Sequence, residues 1–213
     1  ENMKPLCLLD LLGDEVKEEE ITEGMQAEEE EEEGAEYDEH VWLSLKNAKK
    51  LCEAIAKNLC ELDPDHADMY TANAAAYDEK LSALDAKYEE ATDLDGQGII
   101  MFGDRFPFRY LADDYNLKYY AAFPGCSAES EASFETIVFL AGKLDQYKLK
   151  SVLKLEGSDG RIAQTIIDTS ETKDCEILTM DSLQSTTMEE INAGKTYLSA
   201  MEKNLEALKA ALD

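Results

Sequence analysis

Gly98-Ile99-Ile100-Met101-Phe102-Gly103-Asp104 is the stretch on which the fold turns. Four apolar residues run together and stop at a Gly-Asp pair, the pattern of a short strand buried on both faces. The same motif returns three times downstream. Lys118-Tyr119-Tyr120-Ala121-Ala122-Phe123 is closed by Pro124-Gly125, and Ser151-Val152-Leu153-Lys154-Leu155 and Glu176-Ile177-Leu178-Thr179 follow. Between these runs the spacing predicts helices over 106–114, 131–147 and 161–169, and a last helix over about 188–212 carries Tyr197, Met201, Leu205, Leu208 and Leu212 on one stripe. Strands alternating with helices imply right-handed crossovers. The expected fold is α/β, a four-stranded parallel sheet flanked by helices.

Upstream, the texture is helical. Ser44 is a good N-cap, and Ala48, Leu51, Ile55, Leu59 and Leu62 recur at three- and four-residue spacing. Asp63-Pro64-Asp65 interrupts the pattern, since proline disfavours helix at the residue before it. A second helix then runs from about Ala67 to Glu90, with Met69, Ala76, Tyr77, Leu81, Leu84 and Tyr88 on one side. A long spine helix or helical hairpin therefore precedes the sheet. The first 26 residues hold an apolar patch, an edge strand or a helical turn, and then spaced acids. Glu28 to Glu33 is an unbroken acidic run, a mobile loop by composition. The organisation expected is an amino-terminal and acidic-loop segment over 1–36, helices over 37–95, and an α/β lobe over 96–213.

The formal net charge of -28 excludes a nucleic-acid binder, because the chain would repel phosphates. Excess acid is compatible with cation affinity, although most of it reads as a solvated surface. Five cysteines, Cys7, Cys52, Cys60, Cys126 and Cys175, form no CxxC pair. Cys52 and Cys60 lie two helical turns apart, about 12 Å, too far for a disulfide. Most of the five read as small buried hydrophobes. No apolar run approaches the ~20 residues of a membrane span, and there is no basic-then-apolar signal peptide. The opening Pro5-Leu6-Cys7-Leu8-Leu9-Asp10 reads like the middle of a fold, so an amino-terminal stretch is expected to be missing.

In parallel sheets ligands sit beyond the carboxyl ends of strands. That rule selects Gly103-Asp104-Arg105, Pro124-Gly125-Cys126-Ser127, Glu156-Gly157-Ser158 and Met180-Asp181-Ser182. Of the two histidines, His66 sits among acids at a helix start and reads as a plain surface residue. His40 lies beside Trp42, the only tryptophan, where a packed structural imidazole and a metal ligand are both open. No GxGxxG, P-loop or GxSxG motif occurs. Asp104 and Glu156 as paired acids of a hydrolase is the weakest reading; no enzyme is expected.

Tyr37-Asp38-Glu39-His40-Val41-Trp42-Leu43-Ser44-Leu45-Lys46-Asn47-Ala48 resembles the Asp-Pro-His-Val/Ala-Trp-Leu-Ser/Asn-Pro-x-Asn-Ala motif of the zinc/manganese receptors of ATP-driven importers. Glu39 and Leu45 stand where that motif has prolines. Phe102-Gly103-Asp104-Arg105-Phe106-Pro107-Phe108-Arg109-Tyr110-Leu111-Ala112 is similar to the family's His-Asp-Ala-Phe-x-Tyr-Phe segment, with Gly103 at the histidine. Ser127 to Ser133 match the loop after the next strand, and Tyr197 to Leu205 the terminal helix.

The resemblance runs from about residue 37 to the end. It implies two α/β lobes joined by a spine helix with metal between them, of which this chain keeps mainly the second lobe. His40 is implied as a metal ligand and Asp181 as an aspartate ligand. Asp104 is either a carboxylate ligand replacing the lost histidine or the ion-pair partner of Arg105. Glu156 is implied as a hydrogen-bond acceptor behind the ligands, and Arg105 stands beside them. Mixed nitrogen and oxygen donors suit Zn²⁺ or Mn²⁺. The partner implied is an ABC permease, and the location extracytoplasmic, membrane-anchored or periplasmic in the full-length form, as in lipoprotein receptors of the adhesion type. The alternative is an interaction or structural module of the same fold that has lost metal binding.

Overall fold

A computed structural model describes residues 5–26, 37–96, 98–127 and 131–213. The Glu28–Glu33 run lies outside the described residues. Helix α1 (Leu8–Leu12) opens the chain. Helices α2 (Leu45–Leu62) and α3 (Ala67–Thr92) form an antiparallel hairpin around the 3₁₀ turn Pro64–His66. Then come β1 (Ile99–Phe106), α4 (Arg109–Asp114), β2 (Lys118–Pro124), α5 (Phe134–Tyr147), β3 (Ser151–Leu155), α6 (Arg161–Thr169), β4 (Glu176–Met180), α7 (Met188–Asn192) and α8 (Tyr197–Leu212).

All pairings within the sheet are parallel, in the order β2-β1-β3-β4. Alternation along the strands divides the core. Ile100, Phe102, Tyr119, Ala121 and Leu153 face α3, α4 and α8, where they meet Leu84, Tyr88, Leu111, Leu205 and Leu208. Met101, Tyr120, Ala122 and Val152 face α5 and α6, against Leu140, Leu144, Ala163 and Ile166. The buried Tyr88 hydroxyl donates to the Met201 carbonyl at 2.7 Å, tying hairpin to terminal helix.

Local chemistry sets the element ends. Ser44 caps α2 by accepting from Asn47 N at 2.9 Å, and its hydroxyl donates to Asp114 at 2.5 Å. Ser133, not Glu131, starts α5, because its side chain accepts from Thr136 N. The helix expected from Phe106 begins only at Arg109: β1 continues pairing with β2 through Arg105–Phe123 and Phe106–Pro124. Gly103-Asp104-Arg105 therefore lies inside β1 and not beyond its end. The single last helix is two. Gly194, at φ +98°, breaks it, and Thr187 and Thr196 each start a new helix with a capping box.

The hairpin's periodic stripe is buried only near the sheet. Leu51, Leu81 and Leu84 are covered, whereas Ile55, Leu59, Leu62 and Met69 are exposed where the hairpin projects beyond the body. The amino-terminal apolar patch is the helical turn α1, whose Leu12 packs with Val41, Leu51 and Tyr110. The cysteines are free, and none is fully buried: Cys7 and Cys126 are exposed, and the other three half-buried. Cys52 and Cys175 pack against the two faces of the core without being fully covered. His66 is at the surface, its Nδ1 within 3.0 Å of both Asp63 carboxylate oxygens.

Candidate metal centre

The segment before α2 is gripped by four other parts of the chain. Asp38 N donates to Lys17 O, and Tyr110 Oη of α4 donates to Asp38 O at 2.8 Å. Trp42 Nε1 donates to Ser182 O at 3.0 Å in the loop after β4. Tyr197 Oη of α8 donates to Trp42 O at 2.7 Å. Within this frame His40 is fully buried, 5.5 Å from the Trp42 ring between centroids.

The imidazole's two nitrogens have different neighbours, and these fix the proton. Asp38 Oδ1, itself buried, lies 2.9 Å from Nδ1 and also accepts from His40 N at 2.8 Å. Gln184 Nε2 lies 2.7 Å from His40 Nε2. An amide nitrogen only donates, so Nε2 must accept, and the ring proton stands on Nδ1 facing the carboxylate. A carboxylate behind one nitrogen and a lone pair on the other is the arrangement that orients histidines toward metal ions. Gln184 occupies the direction in which that lone pair points.

Beside the ring, the turn after β2 approaches closely. A Cβ on Gly125 would meet His40 Cε1 at 3.1 Å and Phe106 O at 3.1 Å, a tight fit that glycine eases. Cys126 follows it. Its Sγ donates to Glu39 Oε2 at 2.8 Å, and its N–H to Glu19 Oε1 at 2.9 Å. Burial opposes the charge of Glu39, but the Cys126 hydrogen bond, its own backbone and His40 together hold its carboxyl below the ordinary value. Burial, then Glu39 and Glu19, push the Cys126 thiol well up. Among the described residues, Glu39, His40 and Cys126 form a group whose donor atoms all lie within 4.8 Å of one another.

The other residues expected at the site have firm partners of their own. Asp104 Oδ2 accepts from Leu155 N at 3.2 Å and Oδ1 from Arg105 N at 2.9 Å. The β1–β3 ladder has its one Cα pairing at Phe102–Leu153, and beyond it the Asp104 carboxylate satisfies the backbone donor that the parting strands release. Arg105 turns the other way, with Nη1 3.4 Å from Ser127 O. Asp181 Oδ2 pairs with Lys195 at 2.7 Å, while Asn204 holds its backbone at both ends. Glu156 accepts from Ser182 N at 2.7 Å and from Ser182 Oγ at 2.6 Å, which shapes the loop that carries Gln184 to His40. Gly103 packs on α6: an added Cβ would lie 2.5 Å from Ala163 Cα.

The family model described as zinc-uptake complex component A, periplasmic (ZnuA), matches residues 8–211. The chain belongs to the ZnuA family. It is 37% identical over 180 residues to zinc-binding lipoprotein AdcA of Streptococcus pneumoniae serotype 4, covering 84% of this chain and 34% of that protein. It is similar to the structure of the Zn(II)-bound ZnuA-like domain of Streptococcus pneumoniae AdcA, at TM-score 0.67 and 35% identity, with 83% of this chain and 64% of that one covered. It is also similar to the laminin-binding protein Lmb of Streptococcus agalactiae, described as having adhesin and metal-transporting activity. That match has a TM-score of 0.71 and 27% identity and covers 83% of this chain and 65% of that one. The chain thus spans about a third of the length of the first curated relatives.

Around His40 the structure brings three residues that were not expected as ligands, Glu39, Cys126 and Gln184. Glu39 was visible as the acid in the motif's proline position, and Cys126 as the residue after a Pro-Gly turn. Gln184 carried no sequence signal. It reaches His40 because Glu156 folds the loop after β4. Among the described residues no helix is long and apolar enough to cross a membrane.

Proposed function

We propose that this chain is the metal-holding, C-terminal part of an extracytoplasmic receptor that binds a divalent transition metal, Zn²⁺ or Mn²⁺, and delivers it to an ABC permease; it is not an enzyme. Membership of the ZnuA family and the zinc-binding names of its relatives support the class. The observation that carries the reading is His40: fully buried, with its proton fixed toward Asp38 and its Nε2 lone pair toward Gln184. A neutral imidazole held in one tautomer is the form a cation needs.

In this reading residues 37–95 are the spine, and 96–213 the lobe that carries the strand tips. The ion takes the place of the Gln184 amide at Nε2. Asp181, three residues from Gln184, is the carboxylate that exchanges Lys195 for the ion as the loop gives way. Asp104 keeps its role between β1 and β3, and Glu156 keeps the loop in shape.

The test is calorimetric titration of the chain with Zn²⁺ and Mn²⁺, alongside His40→Gln and Asp181→Asn. Stoichiometric binding lost in His40→Gln, with unchanged circular dichroism, is the expected result. Absence of binding, or binding indifferent to His40, overturns the reading. Unchanged affinity in Asp181→Asn removes Asp181 alone.

A further inference from the structure

We propose that Cys126 and Glu39 are themselves metal ligands, joining His40 in a mixed sulfur, oxygen and nitrogen site that favours Zn²⁺ over Mn²⁺. The inference rests on the receptor reading above and specifies the donor set and the ion.

Three donor types from two chain segments converge here. Glu39 and His40 come from the stretch before α2, and Cys126 from the turn after β2. They are brought together by a close contact at Gly125, with His40 Cε1 and Phe106 O each 3.1 Å from where a Cβ would stand. The Cys126 backbone is anchored separately, by its N–H on Glu19 Oε1. A tetrahedral zinc ion with bonds of about 2.0–2.3 Å places its ligand atoms roughly 3.3–3.8 Å apart. The observed donors lie within 4.8 Å of one another, so small side-chain rotations close the difference.

The Cys126–Glu39 contact adds a second argument. Sγ and Oε2 are 2.8 Å apart with the thiol proton between them. A divalent cation arriving there replaces that proton: the S–H bond breaks, a sulfur–metal bond forms, and the proton leaves to solvent. Two prospective ligands therefore stand side by side, with Glu19 close by to favour positive charge. Three protein donors leave one tetrahedral position for water or a further side chain.

The donor set also decides the ion. Imidazole and carboxylate alone serve Mn²⁺ and Zn²⁺ comparably, whereas thiolate is a poor partner for Mn²⁺ and a usual one for zinc. The other four cysteines lie outside this group.

The experiment loads the purified chain with Co²⁺ as a spectroscopic stand-in and measures Zn²⁺ and Mn²⁺ affinities by chelator competition. The wild type, Cys126→Ser, Glu39→Gln and His40→Gln are compared. Cys126 and Glu39 are exposed, so their variants are expected to fold, and melting curves check this. The expected result is a near-ultraviolet thiolate-to-cobalt charge-transfer band in the wild type that disappears in Cys126→Ser. Zinc affinity should fall at least about tenfold in Cys126→Ser, since even groups one bond removed from a metal cost 10- to 100-fold, while Mn²⁺ affinity stays within about twofold. Zinc binding that depends on His40 but shows no charge-transfer band and no change in Cys126→Ser overturns this donor set and leaves the receptor reading standing. No zinc binding by the wild type overturns both.

Discussion

Gly103→Ala is expected to destabilise the chain by about 2 kcal/mol, which tests whether residue 103 is a packing position or a vacated ligand position. A methyl at Gly103 would stand 2.5 Å from Ala163 Cα, 2.7 Å from Ala163 N and 2.8 Å from its Cβ. Two of these are backbone atoms of α6, which cannot rotate aside. Relief requires moving the helix off β1 and disturbing the layer formed by Met101, Val152, Ala163 and Ile166. Overpacking of this kind costs typically ~1–3 kcal/mol. The substitution also stiffens the unfolded chain, which offsets roughly 0.4–1 kcal/mol. Contact with backbone puts the cost at the upper end, leaving a net loss of about 2 kcal/mol. With a urea slope near ~2 kcal/mol/M, the unfolding midpoint falls by about 1 M. Gly103→His should be worse and should bind zinc no better than the wild type. An unchanged or raised midpoint for Gly103→Ala, or tighter zinc binding by Gly103→His, would refute the reasoning.

Gln184→Ala removes a donor from His40 Nε2 that an incoming ion must displace. Zinc affinity should rise roughly two- to tenfold, the value of one net hydrogen bond, as read by chelator competition; weaker binding would show that Gln184 supports the site. Asn204→Ala strips both backbone partners from Asp181, whose N–H and C=O it binds at 2.7 and 2.8 Å. A loss of about 2 kcal/mol in urea unfolding is expected, because buried polar groups are left unpaired. The α7 capping box should show an acid limit. Backbone and side-chain hydrogen bonds from Thr187, then Lys195, lower Glu190 from 4.5 to about 2. A depressed carboxyl stabilises the folded state above its unfolded value and loses that effect as pH falls through its folded one. Relative to Glu190→Gln, the wild type should therefore keep a constant advantage above pH 4.5 and lose it towards pH 2, as followed by amide exchange at Thr187 and Glu190.

β1 and β2 were legible because burial on both faces writes them as near-continuous apolar runs; the partly exposed β4 was read from its short Ile177-Leu178 core, and Ser151–Leu155 and Arg161–Thr169 appear at the limits the spacing predicts. The errors lie where a local signal pointed one way and pairing decided otherwise. Gly103-Asp104 looks like a strand stop, yet β2 offers partners as far as Pro124, so β1 continues to Phe106. The last helix was expected to run through Gly194, but its apolar stripe begins only at Tyr197, and the capping threonines were the stronger instruction. His40 was readable from its motif. Its neighbours were less so, because Gln184 and Cys126 arrive from loops whose course is set by Glu156 and by the space at Gly125, and neither contact leaves a periodic trace in the sequence.

In sheets ordered as this one is, the gap between the first strand and the third is the customary berth for a ligand. Here Asp104 corks it by occupying the amide of Leu155. The proposed cation site accordingly stands to one side, on the outer rim over β2, next to Gly125. Trimming that cork to alanine would uncover a lone backbone N–H deep in the slot, and such a vacancy welcomes an anion or a water molecule. If the proposed cation site holds, the same scaffold carries two addresses of opposite electrical taste, and the Asp104 carboxylate keeps one of them shut.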